Sequence, residues 1–163
     1  MIKKRVKTTK IGDIFEVKIS ESEKKYMQYI ASDLTCLNSD VVRGFSKIYD
    51  VDCNPTLEEI VSDKVDFYAH CDSKAGIKME KWTLYGNTDI VGDVKNIIFM
   101  VSRDNGSVLS DQWYIWHINE EMQWVSRNSK LLRSASYGGV FPHKMIYERI
   151  KNGFFNMVYP RYE

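Results

Sequence analysis

Residue types able to do chemistry fall in three places along the chain. His70-Cys71-Asp72 sets an imidazole and a carboxylate two residues apart with a thiol between them. These are the types used in nucleophilic and acid–base catalysis. On a strand, however, neighbouring side chains point to opposite faces. Cys71 would then turn away from His70, toward an apolar face shared with Phe67 and Ala69. Farther on, His117 is followed by Glu120 and Glu121. These donors suit a metal, which needs two or three converging ligands, but the spacing matches no established metal motif and HExxH is absent. A small hydrolase-like site would have to join His70, Asp72 and His117 in one cleft. Finally, His143 and Lys144 follow the pair Gly138-Gly139. Helix N-termini hold anions, but the phosphate-loop and dinucleotide glycine patterns are both missing, and a glycine pair that turns the chain explains the sequence equally well.

The charge distribution says more. Lys+Arg is 23 and Asp+Glu is 22, a formal net charge of +1. That near-neutrality covers two segments of opposite sign. From Ile48 to Asp72 seven acids face the single base Lys64, a local balance of −6. From Arg127 to Lys151 six bases face the single acid Glu148, a balance of +5. Either the two segments meet in the fold, or the acidic one faces a basic partner, where complementary charge would speed encounter and enforce specificity. On the second reading Asp50, Asp52, Glu58, Glu59 and Asp63 are the contact residues. Arg127 to Tyr137, with Trp124 before it, interleaves bases with aromatics and is a minor candidate for stacking on single-stranded nucleic acid. A duplex-DNA binder usually carries an overall basic excess, and this chain has none.

These side chains must be positioned mostly by strands. Asp13 to Ile19 alternates, with Phe15, Val17 and Ile19 on one face, as a half-buried strand does. Tyr26 to Leu37 continues it as a hairpin. In Asp40 to Tyr49, Val41, Phe45 and Ile48 fit helical spacing, while Val41-Val42 and Gly44 favour a strand with a bulge, the preferred reading. Val65 to Asp72 alternates most cleanly. A loop and short strand occupy Ile77 to Gly86, the apolar run Lys95 to Ser102 suits a strand covered on both faces, and Trp113 to Ile118 and Met122 to Val125 are aromatic strands. Arg103 to Gly106 carries a tight-turn signal. Thr56 and Glu59 form a capping box for a short helix over Leu57–Ser62. A second helix spans Pro142 to Asn152 and stops at Gly153. Tyr137-Gly138-Gly139 reads as a flexible junction, Lys3 to Lys10 as a frayed basic arm, and the last ten residues as a docked aromatic tail.

The sum is one α+β domain over residues 1–163, built from seven or so strands and two short helices, with a mostly antiparallel, strongly bent sheet or partly open barrel. A chain of 163 residues can bury a core without disulfides or a structural metal. Hydrophobic residues at 44% and charged residues at 28% exclude a disordered chain. No apolar run approaches a bilayer span. The basic N-terminus leads into Gly12 and Asp13 rather than an apolar stretch, unlike a secretory signal. Cys36, Cys53 and Cys71 are odd in number and lack CxxC spacing, which fits reduced thiols in a cytoplasmic protein. No residue pattern calls for a cofactor or a metal.

Both ends of the chain also resemble a family. Gly12-Asp13-Ile14-Phe15-Glu16-Val17, the strand from Tyr26 to Asp33, and the ending Gly139-Val140-Phe141-Pro142 with Ile146, Glu148-Arg149-Ile150, Gly153 and Tyr159-Pro160 are similar to the bacterial immunity protein 26 family. The middle is looser, and the helix after Pro55 looks like an insertion. The resemblance implies a non-enzymatic immunity protein of a polymorphic toxin system, with a cognate protein toxin as partner. It brings no catalytic residues with it. An inhibitor of this kind needs a rigid scaffold and a complementary surface rather than a reactive constellation.

Overall fold

The computed structural model describes residues 8–163. The strands are β1 (Asp13–Lys18), β2 (Glu23–Asp33), β3 (Ser39–Phe45), β4 (Tyr49–Asp50), β5 (Val65–Cys71), β6 (Thr83–Asn87), β7 (Ile98–Ser102), β8 (Trp113–His117), β9 (Gln123–Val125), β10 (Ser136–Tyr137) and β11 (Val140–Phe141). The helices are α1 (Leu57–Val61), α2 (Ser73–Lys78), α3 (Leu131–Ser134) and α4 (His143–Asn152). The architecture is α+β and mostly sheet, as the sequence predicts. Seven strands form one sheet in the order β11-β5-β3-β2-β1-β6, with β4 beside β2, and four form a second in the order β10-β7-β8-β9. Neither closes into a barrel, and pairing is antiparallel except at β11–β5 and β10–β7.

The large sheet is covered on both faces, and the alternation of its strands sorts side chains between them. Phe15, Val17, Met27, Val42, Phe67, Ala69 and Cys71 face one way and pack with Trp82 and with Ile146 and Ile150 of α4. The opposite face carries three patches in a row. Ile14, Tyr26 and Phe45 lie beneath Ile60 of α1. Gln28 and Arg43 form a polar belt in the middle, where Arg43 Nε donates to Gln28 Oε1 at 3.0 Å and a terminal nitrogen donates to the Ile90 carbonyl. Ile30 and Val41 then meet Phe99 and Trp116 of the second sheet. The other side of that second sheet is sealed by Leu132 of α3 and by Tyr162 of the tail.

Local signals explain most boundaries. Thr56 and Glu59 form the expected capping box at α1. Gly153 ends α4 in the left-handed region at φ 85°, where an L side chain would be strained. The bulge expected near Gly44 lies between Gly44 and Phe45 in the pairing with β5. The two helices beyond the expected two have short-range causes. Asp72 caps α2 by accepting from Ala75 N at 2.9 Å, while α3 is a four-residue turn whose Leu132 is buried. The β7–β8 connection is longer than a tight turn: it runs from residue 103 to 112, contains a turn at Asn105-Gly106 in which Val108 N donates to Asn105 O at 3.0 Å, and is closed by Ser102, Asp104 and Ser110 side chains. Gly138-Gly139 is a crossing point rather than a loose junction, because β10 lies in one sheet and β11 in the other. Gly138 N donates to Met100 O at 2.7 Å, and a Cβ there would meet the Trp116 ring. Of the basic arm, residues 1–7 lie outside the described residues. Thr9 is not frayed, since its hydroxyl pairs with Ser73 Oγ at 2.7 Å. The tail is docked: Phe155 stacks on Phe141, Tyr159 on Tyr137, and Tyr162 meets Trp113 edge-on.

Candidate functional site

His70, Asp72 and His117 do not form a reactive site. His70 lies on β5 with its ring turned toward the second sheet, between Phe99 and Trp116, and is 0% exposed. Asp72 is occupied as the α2 cap. The His117 ring pairs through Nδ1 with the Ile97 carbonyl at 3.0 Å, so its nearest partner is backbone rather than Glu120 or Glu121. Among the described residues no group of three or more His, Cys, Asp or Glu side chains is placed to hold a metal ion. Cys71 is fully buried, and desolvation pushes its thiol upward in pKa, opposite to what a thiolate nucleophile needs. His143 begins α4 without a glycine cradle, and Pro142 occupies the cap position.

The partner that holds His70 is a residue that no sequence motif marks. Asp33, at the end of β2, is 0% exposed. Its Oδ2 accepts from His70 Nε2 at 2.8 Å and Trp116 Nε1 at 2.9 Å, and its Oδ1 accepts from Asn119 N at 3.1 Å. One carboxylate therefore ties β5 to β8 and to the β8–β9 turn. Burial alone would raise the Asp33 pKa, but the bonds from His70, Trp116 and Asn119 outweigh it and hold the carboxyl below its ordinary value. Burial holds the His70 imidazole below its own ordinary value, against the pull of Asp33. His70 Nδ1 is buried with no hydrogen-bond partner. A bare nitrogen lone pair there is cheap, whereas an N–H would be an orphan donor. His70 is thus neutral, with its proton on Nε2, and Asp33 is ionised. The network locks the two sheets together.

The acidic segment comes to the surface at one end of the large sheet, around β4 and α1. Asp50, Asp52, Glu58 and Glu59 are exposed and Asp63 is half-buried. Three of the five serve their own backbone. Asp50 accepts from Asp52 N, Glu59 from Thr56 N, and Asp63 from Lys47 N and Lys64 N. Asp52 and Glu58 hold no such bond among the described residues. None of the five makes an ion pair among the described residues. The ammonium of nearby Lys47 sits over the Tyr49 ring at 4.7 Å instead. The basic segment finds its partners elsewhere: Arg127 on Asp111, Arg133 on Glu163, and Arg149 on Asp66. Of these three ion pairs only the last joins the two segments, through an acid outside the five. Within the stretch from Arg127 to Tyr137, Arg127 and Arg133 are thus ion-paired, Lys130 is exposed, and Tyr137 is stacked on Tyr159 at 3.8 Å. Trp124, on β9, is 60% exposed.

No helix among the described residues is long and apolar enough to cross a membrane, and Cys36, Cys53 and Cys71 are free thiols. No family model, curated protein or solved structure matches the chain.

Proposed function

We propose that this chain is a binding protein that neutralises a cognate bacterial protein toxin by direct contact, with Asp50, Asp52, Glu58, Glu59 and Asp63 as the contact face. The observation that carries the reading is the acidic edge around α1: five carboxylates from one short stretch, without an ion pair among the described residues, on elements held rigid by a capping box and a buried aromatic cluster. A preformed charged face costs little ordering on binding and steers a basic partner into register. The resemblance of the chain's ends to the immunity protein 26 family supplies the kind of partner, and the scaffold accounts for the rest. Residues that sequence chemistry would nominate for catalysis serve instead as sheet lock, helix cap and strand-end contact.

The test is co-expression and pull-down with the product of the neighbouring gene. Under this proposal the two proteins copurify, and cells expressing that product survive only when this chain is present. Absence of both binding and rescue would defeat it.

A further inference from the structure

The molecule carries a second surface of opposite character. Between β10, the end of α4 and the tail lies a cleft of about 520 Å³, lined among others by Tyr137, Arg149, Phe154, Tyr159, Arg161 and Tyr162. That size is ordinary for a small-molecule site. Its walls are aromatic and fixed: Tyr137 and Tyr159 stack at 3.8 Å, and Phe155 stacks on Phe141 at 4.4 Å. The tail that closes the cleft is anchored by backbone bonds, with Arg161 N donating to Val108 O and Ser110 N to Arg161 O. Phe154 lines the cleft yet is 61% exposed, an apolar ring with no core to fill.

The charges around this cleft do not balance. Asp66 is shared by two cations, Arg149 at 2.8 Å and Lys25 at 3.9 Å, both largely shielded from water. The Glu163 side chain is taken up by Arg133. The Arg161 guanidinium is exposed and makes no ion pair among the described residues. Of the charged residues that line the cleft, Arg149 and Arg161 are basic and Glu163 is acidic, and with Arg149 and Glu163 engaged, Arg161 is the cation left over. An unpaired guanidinium grips a carboxylate or phosphate with two parallel N–H bonds. We propose that the cleft binds a small planar aromatic molecule bearing one anionic group, its ring against Phe154 and the tyrosines and its anion on Arg161. This site lies on different elements from the acidic edge and does not depend on the toxin reading.

Isothermal titration with 2-naphthoate, beside its neutral isostere 2-naphthamide, tests the assignment. One-site binding of the anion is expected, at least about tenfold tighter than the amide. Arg161→Gln should erase that difference between anion and amide. Phe154→Ala should weaken both about fivefold, and because both side chains are exposed, neither variant should shift the thermal midpoint. Equal binding of anion and amide, no binding, or binding indifferent to both substitutions would overturn the proposal. A short oligothymidylate that competes with naphthoate and binds far more tightly than thymidine monophosphate would overturn it in favour of single-stranded nucleic acid.

Discussion

Replacing Asp33 by Asn removes the charge at the centre of the inter-sheet lock while keeping its shape. The carboxylate accepts three hydrogen bonds, two on Oδ2 and one on Oδ1. An amide offers only one accepting atom. If its oxygen faces His70 and Trp116, its NH2 confronts the Asn119 N–H; if it is flipped, the NH2 confronts two donors. The better arrangement still leaves the part-buried Asn119 N–H without its acceptor, about 1 kcal/mol, and weakens two charge-assisted bonds to neutral ones. Asp33→Asn should therefore lose about 2–4 kcal/mol in urea denaturation, equivalent to a fall of about 5–15 °C in Tm for a chain of this length. The damage should be local as well: amides of β8 and the β8–β9 turn should lose hydrogen-exchange protection before those of β1 and β2. A variant within about 0.5 kcal/mol of wild type, or one with evenly lowered protection, would refute the account of Asp33 as the lock.

The same pair predicts acid sensitivity in two steps. His70 binds its proton less readily folded than unfolded, so its contribution is complete above its ordinary value of 6.5 and falls away as pH drops below it. Asp33, also depressed, holds its contribution above 3.8 and loses it below. Denaturation followed from pH 8 to 3 should show both declines, and His70→Gln should remove the first. Gly76→Ala should destabilise by about 1–3 kcal/mol or more, because the new Cβ would lie 1.8 Å from the Trp82 ring, which is buried and tethered through Nε1 to Ser73 O; a thermal melt reads it. Thr56→Ala should cost about 1 kcal/mol through loss of the α1 cap, measurable in the same melt. Asp52→Lys with Glu58→Lys should cost no more than about 1 kcal/mol, from the lysine placed in the first turn of α1, since neither carboxylate makes a hydrogen bond or ion pair among the described residues.

Local patterning made much of this fold legible. The alternation in β1 and β5, the capping box at Thr56 and the stop at Gly153 are short-range signals, and each is found where the residues place it. Period-two alternation reports which residues share a face but not what covers that face. His70 and Tyr68 read as the polar side of β5, and a second sheet lies over them. Helix α2 is hidden because Gly76 weakens its pattern; the glycine is there for the Trp82 ring that packs on it. Asp33 is the furthest from view. Its partners lie 37, 83 and 86 residues away, so no window of sequence contains the interaction that explains it. The acidic edge was visible as composition, but only the fold shows that Arg127 and Arg133 pair with Asp111 and Glu163 and that Arg149 takes Asp66 rather than one of the five.

The most direct test of the acidic edge as a docking face is the rate of association with the product of the neighbouring gene, followed across ionic strength for wild type and for the Asp52→Lys, Glu58→Lys double variant. Electrostatic docking predicts a wild-type rate that falls steeply with salt, a rate about tenfold lower for the variant at low salt, and curves that converge at high salt. A wild-type rate indifferent to salt, or a variant that associates as fast as its parent, would contradict it.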